Sequence, residues 1–590
     1  MEVSPRTAEF LLGPAINFIQ YDELNSLSRR RTHPERQIAW HPPAQKSSWH
    51  LFRANFLSLR VSAVPNFALG RMPVRVDIHL SSSIPLDEEP WRSMMKRPCL
   101  SSKPQTGSEL SDHLLSALDF WSTNMHGFEN TYMTLPFGSR IVIFTLDENV
   151  QHMQIELEAN YELELQWLTP KAIQEMWRIP AEVFPTSIQL SQLELITEQH
   201  ETISLVRLKD KPHERFVLKS ATGNPRFLYH ELRMLLSMQP HANIIRRPRY
   251  LVTKQVNFGG KKGVCGFLLE YHAGGTLAAT LTTQNGGKMQ LETKTRWACQ
   301  IASALAHVKS SPVGYYSDLK LDNIVLKESG GEYDAVLIDF EQRGSWVSWS
   351  PPEVSKLMLI IHLAATRSRY IPRSAKRKYQ KLLDTYLPSY KERERDGRTQ
   401  SGSHIDSGNV ALEVEAGYNK SWRALSPAER DSAVVFMFGR VAWCIFEGRG
   451  SANTAEFLGA EVFREADSQH RFPEFVNTPR KVQELIRQCT WGAPEWFGLS
   501  RPIKTVGDVV YSVQNDMDSH DAESRGRATL ATLRQWWAER VSEAEDYLVQ
   551  RAVNKSSCRD VQAAGTRPSI EDVLQSLRKY GAEMGFGIAA

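Results

Sequence analysis

Cysteine is scarce and dispersed. The 590 residues hold six (Cys99, Cys265, Cys299, Cys444, Cys489 and Cys558), at no spacing that sets two of them on one metal or marks a disulfide framework. They read as buried thiols of a reducing compartment. Long apolar runs are missing too: the longest, Leu357 to Ala365, falls well short of the ~20 residues a membrane-spanning helix needs. Met1-Glu2-Val3-Ser4 begins no leader of basic then apolar residues. No membrane partner is expected, and a cytoplasmic or nuclear location is. Excess charge is small, at +4, so nucleic acid is not implied. Arg29-Arg30-Arg31 is read as a short solvated run rather than a nuclear signal. The remainder, 41% hydrophobic and 23% charged, is the composition of a globular protein long enough for several domains.

Against that background five residues stand out by order and context: Lys219, Glu231, Asp318, Asn323 and Asp339. Moving a phosphoryl group from a nucleotide requires a cation on the phosphates, oxygen ligands on magnesium, and a carboxylate that positions the attacking hydroxyl. The five supply each part. In Tyr316-Ser317-Asp318-Leu319-Lys320-Leu321-Asp322-Asn323 the carboxylate and the amide lie on one loop, where both can face one cleft while Leu319 anchors the loop in the core. Lys320 can place positive charge where negative charge spreads in the transition state. Ile324-Val325-Leu326, a turn at Gly330-Gly331 and Ala335-Val336-Leu337-Ile338 read as a hairpin that returns Asp339 toward Asn323. Upstream, Phe216-Val217-Leu218-Lys219 is an apolar strand ending in lysine, and Glu231 opens Leu232-Arg233-Met234-Leu235-Leu236, with helical apolar spacing. A strand lysine and a helix glutamate can pair. Any one of these alone would be an ordinary loop or surface residue; the combination carries the chemistry.

That combination resembles the eukaryotic-type protein kinase family, in the divergent form common in filamentous fungi, over residues 188–585. The resemblance implies an α+β, bilobal protein-kinase-like fold, ATP with Mg2+, and transfer to Ser or Thr hydroxyls of a protein substrate that the sequence does not name. It assigns Asp318, Lys320 and Asn323 to catalysis, Lys219 and Glu231 to the nucleotide phosphates, and Asn323 and Asp339 to the metal. Gly266 to Leu277 is similar to the hinge, with Leu269 as gatekeeper and backbone groups near Glu270 and His272 on adenine. Ser350-Pro351-Pro352-Glu353 and Arg567-Pro568-Ser569 match the segments whose Glu353–Arg567 ion pair ties the activation segment to the large lobe. Phe436-Met437-Phe438-Gly439 matches the long buried helix, and a helix over Trp297 to Val308 leads into the Asp318 loop.

Four departures from the family pattern shape the expectation. Leu193 to Val206, where the family has its Gly-rich loop, holds no glycine, so backbone amides are less able to approach phosphate. Tyr316-Ser317 stands in place of His-Arg, so activity should not wait for a phosphate on the activation segment. The 15 residues from Asp339 to Glu353 include Trp346 and Trp349 and carry Glu341 in place of a glycine. Val434 replaces the aspartate that caps the loop, which must therefore be held by other contacts. Two further readings stay open: a catalytically weak or inactive kinase-like regulator or scaffold that still binds nucleotide, and a small-molecule kinase, a class that often follows the metal aspartate with an acidic residue.

Residues 1–187 lie outside the resemblance. Alternation at Arg75 to Leu80, at Ile155-x-Leu157 and at Leu163-x-Leu165-x-Trp167 predicts half-buried strands, and a polar stretch near 81–109 a loose loop, giving a β-rich or α+β N-terminal domain of unknown function. The kinase-like part divides into a small lobe, 188–270, and a large lobe, 274–585, interrupted by insertions at 355–430 and 497–566. In the first insertion, residues 367–381 carry seven Arg or Lys and no acid (Arg367, Arg369, Arg373, Lys376, Arg377, Lys378 and Lys381), read as a solvated, partly disordered face or as a contact for an acidic substrate or anionic partner. In the second, Leu530 to Val549 has helical apolar spacing and is expected to pack on the large lobe.

Overall fold

In the computed structural model the chain is α+β and divides into two compact units: Arg31–Pro240 with Ile245–Tyr271, and Met1–Arg30 with His241–Ile244 and His272–Ala590. The structure describes residues 14–18, 47–55, 59–86, 90–96, 108–200, 202–221, 224–256, 259–283, 289–344, 349–366, 368, 370–387, 420–452, 472–497, 503–506, 509–512, 522–556 and 567–587.

The first unit begins with a five-stranded sheet in chain order: β1 (Trp49–Asn55), β2 (Arg60–Pro65), β3 (Val76–Leu80), β4 (Ser139–Ile143) and β5 (Ile155–Glu158). Period-two patterning drives it, since Val76, Ile78 and Leu80 point inward while Asp77 and His79 alternate with them. Only β3 and β4 pair in parallel. A parallel pair needs a crossover, and helices α1 (Trp91–Lys96), α2 (Glu109–Asn124) and α3 (Phe128–Thr134) provide it. Helix α2 opens on a Ser108/Ser111 capping box and buries Leu110, Leu114 and Leu118 at successive helical turns.

Two expectations are corrected here. The stretch near 81–109 includes helix α1, with Trp91 and Met94 buried. Leu163 to Trp167 is not a strand but helix α4 (Glu162–Gln166) and its C-cap. Leu163 and Trp167, one helical turn apart, are buried while Leu165 is exposed. The period that decides is therefore 3.6, and Asn160 Oδ1 accepting from the Glu162 amide (2.9 Å) starts the turn.

After α5 (Pro170–Trp177) comes a six-stranded sheet built from β6 (Thr186–Gln189), β7 (Leu193–His200), β8 (Ile203–Leu208), β9 (Lys211–Ser220), β10 (Tyr250–Gln255) and β11 (Lys262–Glu270), in the order β6-β10-β11-β9-β8-β7. Helix α6 (Arg226–Ser237) follows β9 and buries Leu228, Leu232, Leu235 and Leu236. Glu231 lies at its middle rather than at its start.

The second unit is mostly helical: α7 (Leu277–Thr283), α8 (Leu291–Ser310), the hairpin β12 (Ile324–Ser329) and β13 (Glu332–Leu337), α9 (Pro352–Ala365), α10 (Arg373–Tyr386), α11 (Pro427–Glu447), α12 (Arg480–Cys489), the hairpin β14 (Ile503–Val506) and β15 (Val509–Ser512), α13 (Ala522–Ser556) and α14 (Ile570–Glu583). Helix α11 is apolar nearly all round and correspondingly buried from Ala433 to Glu447. Helix α13 covers Leu530 to Val549, burying Leu530, Leu533, Trp537, Val541, Ala544 and Leu548 and packing on α9 and α10.

The basic segment is ordered where described, which corrects the expectation of a loose face. Arg367 and Arg369 lie outside the described residues, but Arg373 to Lys381 lie on α10, with Tyr379 and Leu383 buried. Lys378 pairs with Glu545 of α13 at 2.6 Å. An amphipathic helix forms because those two apolar residues, one turn apart, have α9 to pack on.

Candidate active site

In the first unit, β9 delivers Lys219, which is paired in register with Phe267 of β11 and Ile203 of β8. Its Nζ lies 2.5 Å from Glu231 Oε2 on α6, with both side chains almost wholly removed from solvent. An ion pair so buried is costly to break from one side, because the surviving charge has no water to return to. Leu269 and Glu270 close β11 opposite Val217 and Phe216; Leu269 is buried, and Glu270 lies 3.8 Å from Arg246. The chain leaves this unit at Tyr271 and enters the other at His272, whose carbonyl accepts from Gly275 N at 3.4 Å.

In the second unit, α8 runs into the Asp318 loop. Leu319 and Leu321 are buried and pin the backbone, so Lys320, between them, takes the other face. Lys320 Nζ donates to Asp318 Oδ2 at 2.9 Å, and Asn323 Nδ2 donates to the Asp318 carbonyl (2.8 Å) and to Oδ2 (2.9 Å). Asp318 Oδ1 is buried and accepts no hydrogen bond among the described residues. Burial pushes the Asp318 carboxyl upward and Asp339 adds to the push, against Lys320 and Asn323. Burial works against the Lys320 charge, but Asp318 and Asp339 hold the ammonium above its usual range.

The β12–β13 hairpin returns the chain so that Ile338 N donates to the Asn323 carbonyl at 3.0 Å. Asp339, next in sequence, adopts the left-handed region at φ 64°. That conformation is strained for a non-glycine residue and persists only where the surroundings impose it. Glu341 pairs with Arg343 at 2.5 Å, and carboxylate oxygens of Asp339 and Glu341 lie within 4.8 Å of each other. Hard oxygen donors of this kind (Asp339, Glu341 and Asn323 Oδ1, its amide nitrogen being engaged elsewhere) fit magnesium.

Glu353 and Arg567 form a separate, two-pronged pair, Nη1–Oε1 2.5 Å and Nη2–Oε2 3.2 Å. Arg567 also donates to the carbonyls of Trp491 (2.9 Å) and Ser432 (3.1 Å) and lies over the Phe436 ring. Between Asp339 and Glu353, residues 345–348, Trp346 among them, fall outside the described residues. Trp349 and Ser350 are buried.

Sequence reasoning left the loop's other holders unnamed. The Tyr316 hydroxyl donates to the Ile338 carbonyl, and its ring meets Phe340 edge-on at 5.0 Å. Gln342 Nε2 donates to the Tyr315 carbonyl at 3.0 Å. Tyr315 stacks on Trp422 (5.7 Å, 6° between planes), and Arg430 lies 4.6 Å from the Tyr315 ring while donating to the Trp422 carbonyl. Two adjacent aromatics before Asp318 were the available signal for Tyr315 and Tyr316. Trp422 and Arg430 carried none, because both fall in the segment 355–430 read as an insertion. No protein-family model matches the chain, and no curated protein matches it.

Proposed function

We propose that the chain is an ATP-dependent phosphotransferase of the protein-kinase kind, with a bilobal kinase-like fold over 188–585, acting on Ser or Thr hydroxyls of a protein substrate in the cytoplasm or nucleus. The observation that carries this reading is the state of Asp318: one carboxylate oxygen is fixed by Lys320 and Asn323, and the other is buried and unpartnered. A carboxylate so arranged can accept the proton of an acceptor hydroxyl and aim its oxygen. Lys320 holds positive charge beside that oxygen, and Lys219, oriented by Glu231, is the cation for the nucleotide phosphates. Magnesium, when bound with the nucleotide, neutralises phosphate charge; Asn323, Asp339 and Glu341 are the residues that would hold it.

Two observations support other readings. The glycine-free β7–β8 hairpin favours a regulator or scaffold that binds nucleotide with little turnover, and the Asp339/Glu341 proximity favours a small-molecule kinase. Binding of ATP with and without magnesium, followed by radiolabel transfer to the protein itself and to peptide and small-molecule acceptors, separates the three. Asp318→Asn should lower transfer on the order of 10²- to 10⁴-fold and leave nucleotide binding in place. Equal transfer by both proteins would remove Asp318 from its role. Binding without turnover would support the regulator, and transfer confined to small molecules the third reading.

A further inference from the structure

We propose that the N-terminal sheet and helices, residues 49–177, act as an intramolecular splint that fixes the glycine-free β7–β8 hairpin and helix α6. The inference concerns regulation of the site above and, in its consequence for nucleotide, rests on that reading.

Strand β7 ends the six-stranded sheet, with β8 as its single partner within it. An edge strand presents outward N–H and C=O groups that must find a partner or water. At Leu195 both are taken by one turn of the N-terminal module: Leu195 N donates to the Arg71 carbonyl (2.7 Å), and Gly70 N donates to the Leu195 carbonyl (2.8 Å). Gly70 stands at φ 76°, a left-handed conformation that lets the chain turn and offer both groups to one residue. Three residues along β7, Glu198 turns into the module and meets Arg75 of the segment leading into β3 at 3.6 Å. Arg75 is also held by Asp77 through Nε (2.9 Å) and Nη2 (2.7 Å). All three side chains are almost fully buried.

A second grip lies on α6. The Tyr229 hydroxyl accepts from Leu168 N (3.0 Å) and donates to the Val264 carbonyl (2.9 Å), so one buried oxygen joins the module, helix α6 and strand β11. Val264 N returns a bond to the Leu168 carbonyl at 2.9 Å. Trp167 packs against Gly263 so closely that a Cβ there would lie 2.6 Å from the Trp167 Cβ, and Glu164 pairs with Lys254 of β10. Tyr229 is two residues from Glu231, so the grip that fixes this helix also fixes the partner of Lys219. A hairpin without glycine cannot mould itself to phosphate by backbone freedom. Its position must be set from outside, and the module sets it.

Amide hydrogen exchange on the full chain without nucleotide tests the splint directly. In the wild type the Leu195 amide should exchange at least about a hundredfold more slowly than an unstructured amide. Arg75→Met should speed exchange across 193–208 on the order of tenfold, and Tyr229→Phe, which keeps the ring, should do the same for 226–237. Where nucleotide binds, each variant should weaken MgATP about fivefold. A fast Leu195 amide in the wild type, or unchanged exchange in both variants with folded circular-dichroism spectra, would overturn the splint. Faster exchange with unchanged MgATP affinity would overturn its effect on the site. A wild type that binds no MgATP but shows the exchange pattern would count against phosphotransfer and leave the splint standing.

Discussion

Replacing Tyr316 by phenylalanine tests how the proposed metal side of the site is held. The ring stays against Phe340, but the Ile338 carbonyl loses the hydroxyl that donates to it. Leaving a part-buried acceptor without its donor costs up to about 1–3 kcal/mol. Holding a non-glycine residue in the left-handed region, as Asp339 is held at φ 64°, costs on the order of 1–2 kcal/mol. The two magnitudes are equal within their spread, so the hydroxyl is comparable to the strain it opposes. Without it, Asp339 should spend a substantial fraction of its time relaxed, and the enhancement of ATP affinity by magnesium should shrink about tenfold, the equivalent of 1.4 kcal/mol. Nucleotide titration with and without magnesium, beside urea unfolding, reads both effects. An unchanged midpoint and an unchanged magnesium enhancement would refute the reasoning; a lowered midpoint alone would make Tyr316 a packing residue only.

Three further outcomes follow from named contacts. Lys219→Met takes the ammonium away from Glu231, which is fully buried, so it should destabilise the chain by about 3–5 kcal/mol as well as remove phosphotransfer; adding Glu231→Gln should restore the urea midpoint but not the transfer, and restored transfer would end the role of Lys219. Burial pushes the Glu198 carboxyl up to about 7, with Arg75 opposing and Asp77 adding. An acid whose folded pKa exceeds its unfolded value is held protonated by the fold, so that stability is present below about 4.5 and lost as pH rises to about 7, by about 3 kcal/mol; the gap between wild type and Glu198→Gln in urea midpoint should widen over that window, and a constant gap would refute it. On α10, Arg373, Arg377 and Lys381 are exposed at successive turns, so changing all three to glutamine should move stability by no more than about 0.5 kcal/mol per substitution while raising the apparent KM for acidic acceptor peptides more than for neutral ones. That preference should fade with salt, since exposed charges more than about 10 Å apart are screened at 0.1 M; equal acidic-to-neutral ratios in the two proteins would exclude α10 from acceptor binding.

The parts legible in the sequence were those in which one residue type is demanded by local chemistry. Lys219 closes a run of apolar residues and could be read as a strand-end cation; the β12–β13 hairpin announced itself through two short apolar runs on either side of Gly330-Gly331. The misread parts were those where neighbours decide. Leu163-x-Leu165-x-Trp167 alternates in sequence, yet Trp167 packs against Gly263 and Leu163 against Gly138, both supplied from elsewhere in the chain, and the helix that buries both wins over the strand that would bury all three. Arg373 to Lys381 looked solvated because its two apolar anchors, Tyr379 and Leu383, are outnumbered. They suffice once α9 is there to receive them.

The same logic bears on the loop that carries Asp318. Ser317 contributes no grip, its hydroxyl being buried without a partner among the described residues, and Val434 offers no hydrogen bond from its side chain. The Tyr315–Trp422 stack and the Arg430 cation over Tyr315 are each worth about 0.5–1.5 kcal/mol, and the Gln342 and Tyr316 bonds about 1 kcal/mol each. Together these approach the roughly 3–5 kcal/mol that breaking one buried charge pair costs, but they are spread over five side chains. Two of the five, Trp422 and Arg430, come from residues 420–430, at the end of a segment that reads as dispensable by length alone. The loop's geometry therefore depends on that segment, and a chain shortened through residues 355–430 would lose the support of Asp318 before it lost any residue that touches it.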